Sequence, residues 1–279
     1  MSDSAKGGND ILTGGDNTGA GDIVVNELFG DARQMSDSAK GGNDILTGGD
    51  NSGAGDFVNS LFGDAEAMFN FAKGGNDTLT GGDNSGGDVV SNNLFGDARF
   101  LNDSARGGND TLTGGDAGGS SVARVSNWLV GDAVEMSSSA RGGNDTLTGG
   151  DRSGSGSVVN ELFGDARSMS GFAQGGNDPL ISGNATDQMW GDAEFLSDSA
   201  AGGHDIFVFA DAFGNDFVND FHQDEDTLEF QVAGVADFSD LVITVGGQDT
   251  VISTTASATD TVTLVGFSGT LTADDFVFC

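Results

Sequence analysis

The sequence predicts an all-β chain, a parallel β-roll or β-solenoid of about six coils closed by an antiparallel β cap, and three observations carry that expectation. A Gly-Gly-Asn-Asp tetrad starts at Gly7, Gly41, Gly74, Gly107, Gly142 and Gly175, with Gly-Gly-His-Asp at Gly202, in steps of 34, 33, 33, 35, 33 and 27 residues. Between these lies a second series, Gly-Asp-Ala at Gly30, Gly63, Gly96, Gly131, Gly164 and Gly191, each preceded by an apolar pair such as Leu28-Phe29 or Met189-Trp190. The 48 glycines interrupt every unit too often for helical repeats.

A period of this length marks a solenoid, whose units bury their apolar faces by stacking on one another. Strand alternation in "VVNELFG" and its relatives places Val24, Asn26 and Leu28 on one side, matched by Phe57, Asn59 and Leu61, by Val90, Asn92 and Leu94, by Val125, Asn127 and Leu129, and by Val158, Asn160 and Leu162. Five asparagines then stack inside. Leu12, Leu46, Leu79, Leu112, Leu147 and Leu180 form a second column, and Met35, Met68, Leu101, Met136, Met169 and Leu196 a third. One coil per repeat gives a stack of roughly 29 Å at about 4.8 Å per coil. The second glycine and acid series also permits two smaller coils per repeat. The repeats occupy residues 1–204. In residues 205–279 alternating segments such as "LVITVGGQDTVIST" and "DTVTLVGF" read as the antiparallel cap that covers a last coil.

With 44 acidic against 10 basic side chains the formal charge is 10 − 44 = −34, which argues against nucleic acid and points to cations. The one cysteine, Cys279, excludes an intrachain disulfide. No apolar run approaches the roughly 18 residues of a spanning helix, so no transmembrane segment is expected, and the amino terminus lacks a secretory signal pattern.

Stacking places each aspartate beside its copies. One row holds Asp10, Asp44, Asp77, Asp110, Asp145, Asp178 and Asp205; another holds Asp31, Asp64, Asp97, Asp132, Asp165 and Asp192; a third holds Asp16, Asp50, Asp83, Asp116 and Asp151. At about 5 Å and an effective dielectric near 20, each neighbouring pair costs roughly 3 kcal/mol. Ten scattered Lys and Arg are too few to offset this, so cations between the coils are expected. Calcium suits a site of carboxylate and carbonyl oxygens, and glycine pairs beside the acids suit a backbone turned to positive φ.

The stretches "GGNDILTGGDNSGAGDFV", "GGDNSGGDVV" and "LFGDA" resemble the RTX, or hemolysin-type, calcium repeat GGxGxDxUx over about residues 1 to 205, with longer units and the third glycine often absent. The resemblance implies a calcium-filled β-roll, in which Asp22, Asp56 and Asp88 complete three turns and serines weaken the fourth and fifth. It also implies type I secretion, with an uncleaved signal at Asp274, Asp275, Phe276, Val277 and Phe278, folding on calcium outside the cell, and an extracellular or cell-surface location in a Gram-negative bacterium.

Neither His204 nor His222 has a visible catalytic partner, no "HExxH" occurs, and the chain is expected not to be an enzyme. A structural or adhesive role leads; a carboxyl-terminal export and folding module of a larger RTX enzyme or toxin is the alternative. Rows of Thr78, Thr80, Thr111, Thr113, Thr146 and Thr148 also admit ice binding. Phe29, Phe62, Phe95, Phe163 and Trp190, interrupted by Val130, form an aromatic stripe, either tucked under the loops or available for self-association.

Overall fold

The structure is a computed structural model and describes residues 1–279 except Ala20, Asp22, Ser120 and Ser121. Each full coil contributes three strands, as in Ile45–Thr47, Phe57–Phe62 and Ala65–Met68. Every such strand pairs in parallel with its copy in the next coil, so Leu46 faces Leu12 and Leu79, Asn59 faces Asn26 and Asn92, and Met68 faces Met35 and Leu101. The result is one solenoid turn per repeat, with three sheets of 9, 10 and 6 strands. The alternative of two smaller coils per repeat is not what forms.

Burial follows the sequence columns. Leu46, Leu79, Leu112, Leu147 and Leu180 of the first sheet pack against Leu61, Leu94, Leu129 and Leu162 of the second. A separate cluster joins Met35, Met68, Leu101, Met136 and Met169 to Ala39, Ala72, Ala105, Ala140 and Ala173. Leu196, at the far end of the methionine column, is exposed. In chain order the aspartates of the first two rows fall between these two apolar clusters, Asp31 between Leu28 and Met35 and Asp44 between Ala39 and Leu46.

Beyond residue 205 the antiparallel arrangement is narrower than expected. Ile206–Ala210, Thr227–Gln231 and Phe276–Phe278 extend the first sheet in parallel. Only Leu241–Gly246, Asp249–Thr254 and Thr261–Leu264 run antiparallel, at the end of the second sheet. Phe207, Phe209, Phe213, Phe230 and Phe276 fill the last layers of the core, Phe207 and Phe276 flanking Leu228 at the end of the leucine column.

The glycine pairs correct a second expectation. None of those in the Gly-Gly-Asn-Asp tetrads lies at positive φ; the left-handed corner of each coil is taken by Asp3, Asp37, Asn70, Asp103, Ser138, Gly171 and Asp198. What requires glycine is close approach. A Cβ on Gly108 would collide with the carbonyl oxygen of Gly75, and one on Gly107 with the carboxylates of Asp132 and Asp97.

Candidate metal centre

Two of the three aspartate rows are buried ladders. In the first, each backbone amide donates to Oδ1 of its copy in the next coil: Asp44 to Asp77 at 2.6 Å, Asp77 to Asp110, Asp110 to Asp145 and Asp145 to Asp178 at 2.7 Å, and Asp178 to Asp205 at 2.9 Å. Asp10 starts the ladder exposed, donating to Asp44 at 2.6 Å. Oδ2 of Asp44, Asp77, Asp110, Asp145, Asp178 and Asp205 is buried with no hydrogen-bond partner.

The second ladder is built differently. Asp31, Asp64, Asp97, Asp132, Asp165 and Asp192 each accept from the second amide of a glycine pair, as from Gly108 to Asp97 at 2.9 Å and from Gly143 to Asp132 at 2.8 Å. One oxygen each of Asp31, Asp97, Asp132 and Asp165 is buried without a partner. The two ladders feel one another: Asp97 raises the affinity of Asp110 for a proton, as Asp178 does for Asp165.

Burial is the first cause of the raised pKa values in both ladders. It pushes Asp44 up to about 6, Asp132 to about 7, Asp77 to about 8 and Asp205 to about 9. Asp64, Asp97, Asp110, Asp145, Asp165 and Asp178 are held well above the ordinary carboxylate range by burial together with neighbouring carboxylates. Orphaned oxygens, an all-oxygen donor set and a glycine floor that a Cβ would close fit a hard cation. No group of three or more His, Cys, Asp or Glu side chains among the described residues is gathered as a metal cluster. Sites here would draw on carboxylates from successive coils together with backbone carbonyls.

The third row is placed elsewhere. Asp16, Asp50, Asp83, Asp116 and Asp151 are exposed, and Oδ1 of each accepts a neighbouring coil's amide, that of Asp83 onto Asp50 at 2.8 Å and that of Asn184 onto Asp151 at 2.8 Å. Asp56 and Asp88 are also exposed, Asp88 at positive φ and accepting from the Gly55 amide at 2.8 Å. Asp22 lies outside the described residues.

Asp226 continues the first ladder, taking the Asp205 amide at 3.1 Å, with its pKa raised to about 6 by burial. Sequence reasoning missed it because its glycine pair is absent, although Asp226 stands two residues before Leu228 as Asp10 stands before Leu12. His204 Nδ1 lies 2.9 Å from the carbonyl oxygen of Glu225, and His222 Nδ1 lies 3.8 Å from Asp192 Oδ2.

The aromatic row is packing. Phe62, Phe95 and Phe163 are buried, Phe29 stacks on Phe62 and Phe62 on Phe95 at 4.8 and 4.9 Å, and Phe163 stacks on Trp190 at 4.5 Å. Trp128 closes on Phe95 edge-on at 5.2 Å beside the gap at Val130. The basic residues are less scattered than their number suggests. Lys6, Lys40, Lys73, Arg106 and Arg141 align one per coil, and the last three line a groove of about 510 Å3 with exposed Phe71 and Phe172.

No family model matches the chain. No curated protein matches it in sequence. Among solved structures, the extracellular lipase LipA from Serratia marcescens is similar at 17% identity and a TM-score of 0.27, over 81% of this chain. The chain spans 40% of the lipase's length. That protein is an enzyme, so the expectation that this chain is not one is withdrawn; a likeness so faint assigns it no activity either. No helix among the described residues is long and apolar enough to cross a membrane.

Proposed function

We propose that this chain is a secreted RTX-like β-solenoid that takes calcium between its two buried aspartate ladders as it folds outside the cell, and serves there as a structural or adhesive element. The observation that carries the reading is the set of buried carboxylate oxygens without partners, from Asp44 to Asp205 in one ladder and on Asp31, Asp97, Asp132 and Asp165 in the other. Bound calcium supplies the positive charge that buried, mutually repelling carboxylates require. The chain's own residues do the rest. In Asp97 and Asp145, as in most of the ladder aspartates, a backbone amide fixes one oxygen, the other is left for the ion, and glycine keeps the intervening space open. The exposed outer row, Asp16 to Asp151, is the weaker set, because water and salt already screen its carboxylates.

Without ions the ladders oppose closure, which suits export of an open chain from a calcium-poor cytosol, and ion-binding free energy then becomes folding free energy. The acidic part of the tail, Asp274 and Asp275, lies in the 3-10 turn Ala273–Asp275 and the apolar part forms the strand Phe276–Phe278, which pairs with Thr227–Gln231, so type I machinery would read the tail before that strand docks. Calorimetric titration tests the reading. Uptake of several calcium ions per chain is expected, reduced when Asp97 and Asp110 are changed to Asn, whereas heat no greater than that of dilution contradicts it.

A further inference from the structure

A second kind of buried oxygen site stands apart from the two ladders, in the asparagine column. From Asn26 to Asn160 that column satisfies itself: Asn59 Nδ2 donates to Asn92 Oδ1 at 2.8 Å and to the Gly49 carbonyl at 3.1 Å, while Asn59 Oδ1 accepts the Gly49 amide at 3.0 Å. The chemistry then changes. Asp187 stands in register with Asn160, Asp216 follows, and Val262 ends the column. Two carboxylates have replaced two carboxamides, so two donor groups are gone from a closed interior.

Asp187 is still served, by Nδ2 of Asn160 on one oxygen and by the Gly183 amide at 2.8 Å on the other. Asp216 is not. Its Oδ1 accepts the Asp187 amide at 3.0 Å, but its Oδ2 is buried with no partner. The Ser182 hydroxyl, 7% exposed, faces the same carboxylate without a well-aligned hydrogen bond to it or to anything else. Gly183 has also lost the side-chain amide that reaches its counterparts Gly49, Gly82, Gly115 and Gly150. Asp216 Oδ2 lacks a positive partner, and the side-chain groups set around it, of Asp187 and Ser182, offer oxygen.

We infer that Asp187, Asp216, the Ser182 hydroxyl and the Gly183 carbonyl hold one hard, oxygen-preferring cation at the junction of coils and cap. The strand Asn215–Val218, which carries Asp216, lies between Thr186–Trp190 and the cap strand Thr261–Leu264. An ion here pins the antiparallel end of the second sheet to the last coils, a task separate from neutralising the ladders.

The test is anomalous scattering from crystals of the full chain grown with terbium as the calcium probe, for the wild type and for Asp187→Asn/Asp216→Asn. The double variant extends the self-satisfied asparagine column and is expected to fold. The inference expects a peak bounded by Asp187, Asp216 and Ser182 in the wild type, lost in the variant while any ladder peaks remain, and a fall of about one calcium per chain in equilibrium dialysis. Wild-type density with no peak there, or an undiminished calcium count in the variant, overturns it. A peak at this junction with none between the ladders would uphold this site and remove the ladder reading.

Discussion

The backbone amide of Asp110 donates to Oδ1 of Asp145 at 2.7 Å, and Oδ2 of both residues remains buried without a partner. One carboxylate oxygen thus holds the coils together while the other leaves a negative charge to be answered. Asp110→Asn separates the two tasks, because a carboxamide keeps the acceptor that receives the Asp77 amide and drops the charge. The variant is expected to be more stable than the wild type in chelator and less stable in calcium. Circular dichroism in chelator, where the variant should recover more β structure, and urea unfolding in calcium, where it should lose about 1 to 3 kcal/mol, check this.

Adjacent glycines should respond differently to the same added methyl. A Cβ on Gly107 meets the carboxylates of Asp132 and Asp97, whereas one on Gly108 meets the backbone of Gly75 in the coil before. Gly107→Ala is expected to weaken calcium binding with the coils intact, since side chains can yield. Gly108→Ala drives two coils apart and should cost about 3 kcal/mol or more, the upper end for overpacking. Melting curves and calcium titration of the pair separate the outcomes.

Asn92 sits mid-column with four hydrogen bonds, donating to Asn127 Oδ1 at 2.8 Å and Gly82 O at 3.0 Å and accepting from Asn59 at 2.8 Å and the Gly82 amide at 2.9 Å. Asn92→Ala orphans the Gly82 amide, the Gly82 carbonyl and one N–H of Asn59, each costing about 1 to 3 kcal/mol. Denaturant unfolding in saturating calcium should show a loss of at least about 3 kcal/mol.

Acidity should act on the metal-free chain in the direction opposite to ordinary acid unfolding. Asp77 and Asp205 have folded-state pKa values raised to about 8 and about 9, against an unfolded value of 3.8. The folded form therefore binds their protons more tightly. Stability is greatest below pH 4 and falls as pH rises through 8 and 9. In chelator, β content by circular dichroism is expected to be higher at mildly acid pH than at mildly alkaline pH. Calcium should remove or reverse that slope, because it competes with the same protons.

Columns in this sequence become columns in space because each strand pairs in register with its own copy, so Leu46 and Leu79, or Asn59 and Asn92, were legible as neighbours from spacing alone. The purpose of the glycine pairs was not, since the distance between Gly108 and the carbonyl of Gly75 depends on how closely the coils approach. Asp226 kept the spacing to its apolar partner Leu228 but had lost the glycines that flag a coil. Lys73, Arg106 and Arg141 stand directly before their tetrads, yet a count of basic residues hides that they align. The switch from Asn160 to Asp187 exchanges one amide nitrogen for oxygen in one column, and it gains meaning only where burial leaves Asp216 Oδ2 without a partner.

The central claim is that divalent cations between the two carboxylate ladders let the coils close. Far-ultraviolet circular dichroism near neutral pH, followed from excess chelator through a calcium titration, addresses it most directly. A chain that lacks β structure in chelator and gains it cooperatively as calcium is bound is the expected result. A full β spectrum in chelator, unchanged when calcium is added, would contradict the account.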